Sequence, residues 1–361
     1  MSNIKKIFPL LFLIVFVVVF SYFNGDSFFE HQWKSKNIEQ QKVVTQWKLD
    51  DFSLEKIREL EDSYFYYTPY KELLNKIVGK IDWAKDKVYV EVYMLTETRI
   101  KAALIKAKNR WVDVKVVLEH SPYLAVTLNQ KHFNELQGKW VDIVWSNPKN
   151  YALNHSKIMI IDDELILSTG NFTYSTFAHN RDLFLFSRDQ KIVGIFTEIF
   201  LKDYAWEEFQ IYDDTIILSP YSSRTKLTKM IEGAQNSIKI YAQYLKDEKL
   251  FSVIKKQAEQ WIKVEIILSK NGYRQYSEDN NICEKWEDIQ CKQYIHKNLQ
   301  ITAIDSSDKM HSKAILIDDM YLFIGSINFS TSSLDQNREM WILLKNEEIV
   351  KKFIKVFEDD I

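Results

Sequence analysis

The sequence predicts an α/β protein made of two tandem, pseudo-symmetric α/β domains, preceded by an amino-terminal transmembrane or signal helix. Three observations support this fold class. The order of strand-like and helix-like segments recurs at an offset of about 150 residues. A His-x-Lys-x4-Asp motif occurs once in each repeat, and residues 7–23 form a nearly unbroken apolar run. With 361 residues, the chain is long enough for two domains with separate cores.

The apolar run at residues 7–23 follows Lys5 and Lys6. Its length is at the short end of what spans a bilayer. The two lysines predict that the amino terminus is cytoplasmic and that the rest of the chain lies outside. A cleaved signal peptide, with Val19 and Ser21 at the small-residue positions, remains the alternative, as does a buried helix. Membrane attachment and cleavage would both export the remainder of the chain.

Each repeat alternates strands with helices, which indicates a sheet covered by helices on both faces. A single larger α/β domain without symmetry is the alternative, but the aligned pairs favour a duplication. The predicted pairs are helices 72–84 and 226–234, strands 87–93 and 237–244, helices 100–109 and 250–260, strands 111–118 and 261–268, strands 141–145 and 299–304, strands 157–161 and 313–317, strands 183–187 and 340–344, and helices 192–201 and 348–357.

These elements divide the chain into four parts. We expect an amino-terminal membrane or signal segment at 1–25 and a polar spacer at 26–58. The first α/β domain is predicted at 59–208 and the second at 209–361.

The two motif copies share more than their central residues. The first runs from Asn154 to Asp162 and the second from Met310 to Asp318. Each is followed by a small-residue turn with an asparagine, and then by an Asn-Arg pair and an acid. Composition alone gives one chance His-x-Lys-x4-Asp in roughly one such sequence in twenty. Two copies with matching turns and acids are therefore a strong signal.

The two motif histidines, His155 and His311, predict phosphoryl chemistry. A neutral imidazole can attack phosphorus, and a protonated one can donate to a leaving oxygen. One histidine cannot do both in the same step, whereas two in a shared cleft can. A duplicated chain would supply one histidine from each half.

The residues around each histidine would complete such a site. In an extended strand, Lys157 and Lys313 point to the same face as the histidines two residues earlier. Together with the amides of Asn171 and Asn328, they would clamp the oxygens of an anionic, five-coordinate phosphorus.

The acids fall into two classes. Asp182 and Glu339 are the candidates for holding the second ring nitrogen of each histidine, which fixes the tautomer. The alternative for these two is a surface ion pair with the neighbouring arginine. Asp162 and Asp318 lie an odd number of residues from the lysines, so they face away, and we interpret them as structural caps of the following turn.

Other chemistries are less favoured. No Gly-x-Ser-x-Gly sequence surrounds Ser156 or Ser312, which argues against a serine nucleophile. The lysines beside the histidines would repel a cation, so we expect no metal and no cofactor. Cys283 and Cys291 have neither redox nor zinc spacing, and a local disulfide or two free thiols both remain open. Four aromatic residues near the cleft are candidates for holding lipid or base: Tyr93, Tyr123, Trp145 and Tyr244.

The duplicated His-x-Lys-x4-Asp with a following Gly/Ser-x-Asn resembles the phospholipase D superfamily over about residues 64–357. The resemblance implies two α/β halves, one active site at their interface, no metal, and a phosphohistidine intermediate. It also implies that His155 is the nucleophile and that His311 is the acid and then the base. Cardiolipin synthases usually have two amino-terminal spans, and this sequence has one, so the resemblance favours a compact, membrane-anchored bacterial-type enzyme.

The first functional hypothesis is a phosphodiesterase that cleaves or transfers phospholipid. An exported nuclease acting on DNA or RNA and a non-catalytic phosphate-binding module are the alternatives. The formal net charge of −2 excludes a global positive field and mildly favours lipid over nucleic acid. We expect a monomer with both motifs in one chain, tethered to the cell membrane by a single span with its catalytic region outside the cytoplasm. Secretion after signal cleavage is the alternative.

Overall fold

The computed structural model describes residues 52–123, 126–211, 213–279, 293–304 and 308–361. The predicted membrane segment, most of the spacer, and Cys283 and Cys291 lie outside these residues. In the part of the chain that the structure covers, no helix is both long and apolar enough to cross a bilayer.

Strands occupy corresponding places in the two halves. The first half contains β1 (Ser63–Tyr67), β2 (Lys87–Val92), β3 (Asp113–Leu118), β4 (Asp142–Trp145), β5 (Lys157–Ile161), β6 (Glu164–Ser168), β7 (Asn180–Arg181) and β8 (Leu183–Ser187). The second contains β9 (Ile216–Ser219), β10 (Ser237–Ala242), β11 (Lys263–Leu268), β12 (Gln293–His296), β13 (Leu299–Ala303), β14 (Lys309–Met310), β15 (Ala314–Ile317), β16 (Tyr321–Gly325) and β17 (Glu339–Lys345).

The helices follow the same duplication. They are α1 (Lys71–Trp83), α2 (Thr98–Asn109), α3 (Val126–Gln137), α4 (Tyr174–Ala178), α5 (Gln190–Tyr204), α6 (Ser223–Glu232), α7 (Glu248–Glu259), α8 (Lys270–Asp279), α9 (Thr331–Asp335) and α10 (Glu347–Asp359), with a 3-10 turn at Leu54–Lys56.

Two large mixed sheets have matching strand orders. The first is β1-β8-β6-β5-β2-β3-β4, and the second is β12-β13-β11-β10-β15-β16-β17-β9. In each sheet three strands run parallel, and the motif strand, β5 or β15, is antiparallel to the first of them. The α/β class is confirmed, and the order repeats between the halves, with β12 as an additional edge strand in the second.

Three apolar clusters fill the spaces between the two sheets and the helices that pack on them. One lies on the outer face of the first sheet beneath α1 and α2, and another on the outer face of the second sheet beneath α6 and α7. The third joins the inner faces of both sheets and contains residues of α5 and α10, such as Phe196 and Phe353. Helices therefore cover both faces of each sheet, and α5 and α10 belong to a core that the halves share.

The structure differs from the prediction in several elements. Strands β6 and β16 immediately precede the small-residue turns, and the sequence pattern did not predict them as separate strands. Each is only five residues long and follows a tight turn, so its pattern merges with that of the motif strand. Strands β1 and β9 were also missed.

The predicted spacer is too long at its carboxyl end. Phe52, Leu54 and Ile57 are buried and pack into the core on the outer face of the second sheet. Residues Asp51–Ile361 form one compact unit. The polar surroundings of these three apolar residues concealed their role, because they contact a sheet that is distant in sequence.

Candidate active site

Both motifs begin at the same kind of sheet edge. In the first half, Val92 at the end of β2 lies opposite Lys157 at the start of β5. In the second, Tyr241 near the end of β10 lies opposite Ala314 at the start of β15. Each motif histidine precedes its strand, so it lies at the edge where the parallel strands end. We refer to this as the motif edge of each sheet.

Main-chain bonds join the motif of one half to the Asn-Arg-acid segment of the other. The amide of His155 donates to the carbonyl of Arg338 at 2.8 Å, and the amide of His311 donates to the carbonyl of Arg181 at 3.1 Å. Strand β14, which ends just before His311, also pairs in parallel with β7. The two motif edges therefore meet, and the backbone holds both histidines at the boundary between the halves.

The side chains cross the same boundary. The Nδ1 atom of His155 lies 2.9 Å from the Glu339 carboxylate, and Nδ1 of His311 lies 2.9 Å from that of Asp182. Both acids are fully buried. A carboxylate can only accept, so each Nδ1 carries the proton and each Nε2 keeps a lone pair for a substrate.

Burial keeps both imidazoles neutral. It lowers the pKa of His155 to about 4, and the charge of Lys157 adds to this effect although Glu339 opposes it. Burial likewise lowers the pKa of His311 despite the opposing charge of Asp182. Burial alone would raise the pKa of Asp182, but His311 and Lys313 hold it below its ordinary value. At neutral pH the site thus contains two neutral imidazoles.

The two lysines are buried beside the histidines. Each ammonium group donates a hydrogen bond to the carbonyl oxygen of its own motif histidine, Lys157 to His155 and Lys313 to His311. Burial lowers the pKa of both, that of Lys313 to about 8. The two ammonium charges and the carboxylates of both halves act on one another. The predicted lysines and acids therefore form one electrostatic cluster.

The asparagines occupy equivalent loops. Asn171 follows β6 and Asn328 follows β16, and each loop is fastened by a bridge, Leu95 to Phe172 and Leu245 to Phe329. Each asparagine has a buried Oδ1 atom without a hydrogen-bond partner among the described residues. Native structures rarely leave a buried polar atom unpaired, so these two amides are candidates for binding a ligand.

Asp162 and Asp318 do not join this cluster. Their carboxylates accept main-chain N–H groups of residues 85–87 and 235–237, which lead into β2 and β10 at the opposite edge. Both aspartates have a positive φ, 50° and 53°. They connect the turn after the motif strand to the start of the neighbouring strand.

The motif serines point to the main chain. The hydroxyl of Ser312 donates to the Arg181 carbonyl at 2.8 Å, and that of Ser156 to the Arg338 carbonyl at 3.4 Å. These bonds give the hydroxyls a structural use at the boundary between the halves.

Sequence reasoning missed two ion pairs, one of them fully buried. Arg338, completely buried, pairs with Asp203 at 2.7 Å, and Arg181 pairs with Asp360 at 2.9 Å. Both pairs cross between the halves. The repeated arginine next to each acid is the available signal, but its position alone predicts an ion pair with that neighbouring acid and not with Asp203 or Asp360.

A second missed feature lies behind His155. The main-chain N–H of Asn154 donates to the Glu119 carboxylate at 2.6 Å, and its side-chain Nδ2 donates to the Glu91 carboxylate at 2.7 Å. Gly170 lies in the small-residue turn directly before Asn171. A Cβ atom at this position would lie 2.5 Å from the Asp182 carboxylate, so only glycine allows that acid its place.

The four aromatic candidates differ in position. Tyr93 packs against His155, with 4.9 Å between the ring centroids. Tyr123 is 77% exposed, and its amide donates to the Tyr93 hydroxyl. Trp145 stacks on Phe133, and Tyr244 lies beneath the ammonium of Lys246. Of the four, Tyr93 has a ring contact with a motif histidine.

No three histidine, cysteine or carboxylate side chains among the described residues are placed to hold a metal ion.

The fold and the site define a duplicated α/β protein whose halves share one two-histidine centre. Residues 77–204 and 227–361 match the family described as "Cardiolipin synthase, PLD-like domain". The chain belongs to this phospholipase D-like family, and the resemblance to the superfamily is confirmed.

Curated relatives share part of their length with this chain. "Phospholipase D" of Rickettsia bellii is 31% identical over 118 residues, which are 32% of this chain and 55% of that protein. "Cardiolipin synthase 1" of Bacillus anthracis is 24% identical over 340 residues, covering 80% of this chain and 64% of that protein. The chain thus spans between half and two thirds of each of these relatives.

Solved structures share the fold. Phosphatidylserine synthase of Haemophilus influenzae aligns with a TM-score of 0.66 and 14% identity, over 90% of each chain. Polyphosphate kinase of Porphyromonas gingivalis aligns with a TM-score of 0.62 and 16% identity, over 82% of this chain and 50% of that one.

Proposed function

We propose that this protein hydrolyses or transfers phosphodiesters of phospholipids through a phosphohistidine intermediate. The observation that carries the proposal is the crossed arrangement in which the acid of each half binds the histidine of the other. It leaves two neutral imidazoles, each with a free Nε2, at one boundary. The names of the relatives, phospholipase D and cardiolipin synthase, support a phospholipid substrate.

The first step would use both imidazoles. The Nε2 lone pair of His155 attacks phosphorus, the bond from phosphorus to the leaving oxygen breaks, and protonated His311 donates its proton to that oxygen. The low pKa of His155, about 4, suits a nucleophile that must be unprotonated. Binding of the anionic phosphodiester favours the protonated form of His311, because an opposite charge stabilises an imidazolium.

The second step would return both groups to their starting states. Neutral His311 takes a proton from water or an alcohol, whose oxygen attacks phosphorus. The bond between phosphorus and His155 breaks, which releases the phosphate monoester or the new diester. Hydrolysis and transfer differ only in the acceptor.

The surrounding donors would stabilise the charge that develops on the phosphoryl oxygens. Lys157 and Lys313 supply positive charge, and the Nδ2–H groups of Asn171 and Asn328 supply neutral donors. Such preorganised groups act strongly because the site is buried, and removing one costs roughly 10²–10³-fold in kcat.

The test uses the full chain in detergent, offered phosphatidylcholine, phosphatidylglycerol and single-stranded DNA carrying labelled phosphate. We expect the native chain to turn over lipid and to carry an acid-labile phosphate label when it is quenched during turnover. His155→Ala should carry no label, and His311→Ala should lose turnover because it lacks the proton donor of the first step and the base of the second. His132→Asn is the matched control, because His132 lies on the outer face beside Lys101. Turnover of DNA but not lipid would replace the lipid proposal with the nuclease alternative. Retained activity in both alanine variants would reject the mechanism.

We further propose that the protein acts at a membrane, held by the segment around residues 7–23, as a monomer. The apolar run and the preceding Lys5 and Lys6 support this placement. Protease added to intact cells should degrade residues 52–361 if the region is exported. Complete protection in intact cells, with degradation after lysis, would contradict export.

A further inference from the structure

The two histidines have different neighbours at equivalent places. Tyr93 is the first residue after β2, and Gln243 is the first residue after β10. The main-chain amide of Tyr93 donates to the carbonyl of Ser156, so it lies directly beside the first motif. The duplication thus has a tyrosine at this position of the first half and a glutamine at the equivalent position of the second.

The ring of Tyr93 contacts two members of the site. Its centroid lies 4.9 Å from that of the His155 imidazole, at an interplanar angle of 71°. The ammonium of Lys157 lies 5.3 Å from the same centroid, over the ring. No aromatic ring of the described residues packs in this way on His311.

Hydrogen bonds from Tyr123 and Asn129 fix the position of Tyr93. Its hydroxyl accepts a hydrogen bond from the amide of Tyr123 at 2.6 Å. Its carbonyl accepts another from the side chain of Asn129 at 2.7 Å. Burial raises the pKa of Tyr93 to about 12, so the ring stays neutral at physiological pH. The ring is therefore a fixed, uncharged wall.

Two physical effects follow from this wall. An imidazole shielded from water by a ring is less easily protonated, because the charged form loses solvation. An ammonium over a ring is stabilised by the negative face of the ring, so Tyr93 opposes the lowering of the Lys157 pKa by burial. That charge in turn disfavours a second positive charge on His155.

We infer that Tyr93 is the positioning residue that makes the two histidines unequal, because its ring packs against the His155 imidazole and lies under the ammonium of Lys157. This inference deepens the proposed function and rests on it, because it concerns which histidine is ready to attack phosphorus. The other charged groups that act on His155 are Glu339 from β17 and Lys313 from the second motif. The ring acts beside these charges and does not replace them.

The test compares three variants of the full chain. Tyr93→Phe keeps the ring, Tyr93→Gln copies the residue of the second half, and Tyr93→Leu keeps apolar volume without a ring. The exposed tyrosine Tyr64 gives a matched control, Tyr64→Gln. Urea unfolding of each variant identifies any variant that fails to fold. If Tyr93→Gln does not fold, Tyr93→Leu is used in its place.

Two readouts separate this inference from the proposed function. One is the pH dependence of the first step in a single turnover, and the other is an NMR titration of the labelled His155 imidazole without substrate. For Tyr93→Gln we expect the midpoint of both to rise by about one pH unit, a tenfold change in proton affinity. Tyr93→Phe should stay within about 0.3 unit of the native midpoint.

An unchanged midpoint in Tyr93→Gln or Tyr93→Leu would overturn the inference, as would an equal shift in Tyr93→Phe. If no phosphodiester is turned over, the proposed function fails. The imidazole titration would still show whether Tyr93 sets the proton affinity of His155.

Discussion

At the scale of single residues, the acids Asp182 and Glu339 receive their roles from partners in the opposite half. Asp182 accepts from Thr169 at 2.8 Å and from Asn180 at 3.2 Å as well as binding His311. Glu339 has one buried oxygen with no partner among the described residues. The two histidines are thus oriented by differently supported carboxylates.

Replacing either acid by its amide tests this orientation. Asp182→Asn and Glu339→Gln keep the shape but can donate to Nδ1, which favours the wrong tautomer of the histidine. We expect kcat to fall roughly 10³–10⁴-fold with the fold retained, as in other His-acid pairs. Steady-state kinetics and circular dichroism measure the two quantities. A loss below about tenfold would show that the crossed pairs do not set the tautomers.

The lysines predict an alkaline limit of activity. Lys313, with its pKa lowered to about 8 by burial, loses its positive charge above that pH, and the clamp on the phosphoryl oxygens weakens. We therefore expect kcat/KM to fall as the pH rises through about 8. On the acid side it should fall as His155 gains a proton near pH 4.

The matched variant is Lys313→Arg, because arginine stays charged at every accessible pH. It should lower activity but move the alkaline limb upward by at least one pH unit. An alkaline limb that stays in place in this variant would assign it to another group.

At the scale of secondary-structure elements, three helices are followed by a tryptophan in the left-handed conformation. Trp111 follows α2, Trp140 follows α3 and Trp261 follows α7, with φ of 70°, 64° and 74°. This left-handed conformation favours glycine, and a side chain there costs roughly 1–2 kcal/mol. Trp111 is 94% exposed and Trp140 83%. The ring of Trp261 lies under the ammonium of Lys297, whereas nothing in the described structure explains tryptophan at positions 111 and 140.

Glycine should therefore stabilise these termini. We expect Trp111→Gly and Trp140→Gly each to raise the free energy of unfolding by about 1 kcal/mol, because the strain is relieved and little packing is lost. Urea unfolding measures the change. Trp83→Gly is the control, since Trp83 is equally exposed but lies within α1 without positive φ. An equal gain in the control would show that the effect comes from exposure instead of backbone strain.

At the scale of the whole molecule, four crossed contacts hold the halves together. They are two His-acid pairs and two Arg-Asp pairs, each with one partner from each half. The shared core around α5 and α10 supplies the apolar part of the same boundary. The site and the interface between the halves are therefore built from the same segments.

Removing one partner of a buried pair tests this interface. Arg338→Met leaves the Asp203 carboxylate buried without its arginine, which costs about 3–5 kcal/mol. The double variant Arg338→Met, Asp203→Leu should recover more than half of that loss, since no charge is left unpaired. Urea unfolding of the single and double variants measures this. Additive losses would indicate that the two residues do not act as a pair.

The local sequence pattern by itself determined most of the secondary structure and the candidate residues of the site. Alternating apolar segments placed the strands and helices of both repeats, because burial imposes a period on the sequence. The repeated motif identified the histidines, lysines and asparagines, because the same small set of residues recurs with the same spacing. The short strands β6 and β16 gave no separate signal, because each follows a tight turn and its apolar pattern merges with that of the motif strand.

Only the tertiary structure decided which groups meet. The sequence placed Asp182 and Glu339 downstream of their own motifs, and the fold brings each to the histidine of the other half. It also pairs Arg338 with Asp203 and places the ring of Tyr93 against His155. These contacts join residues far apart in sequence, and chain spacing contains no information about distances across an interface.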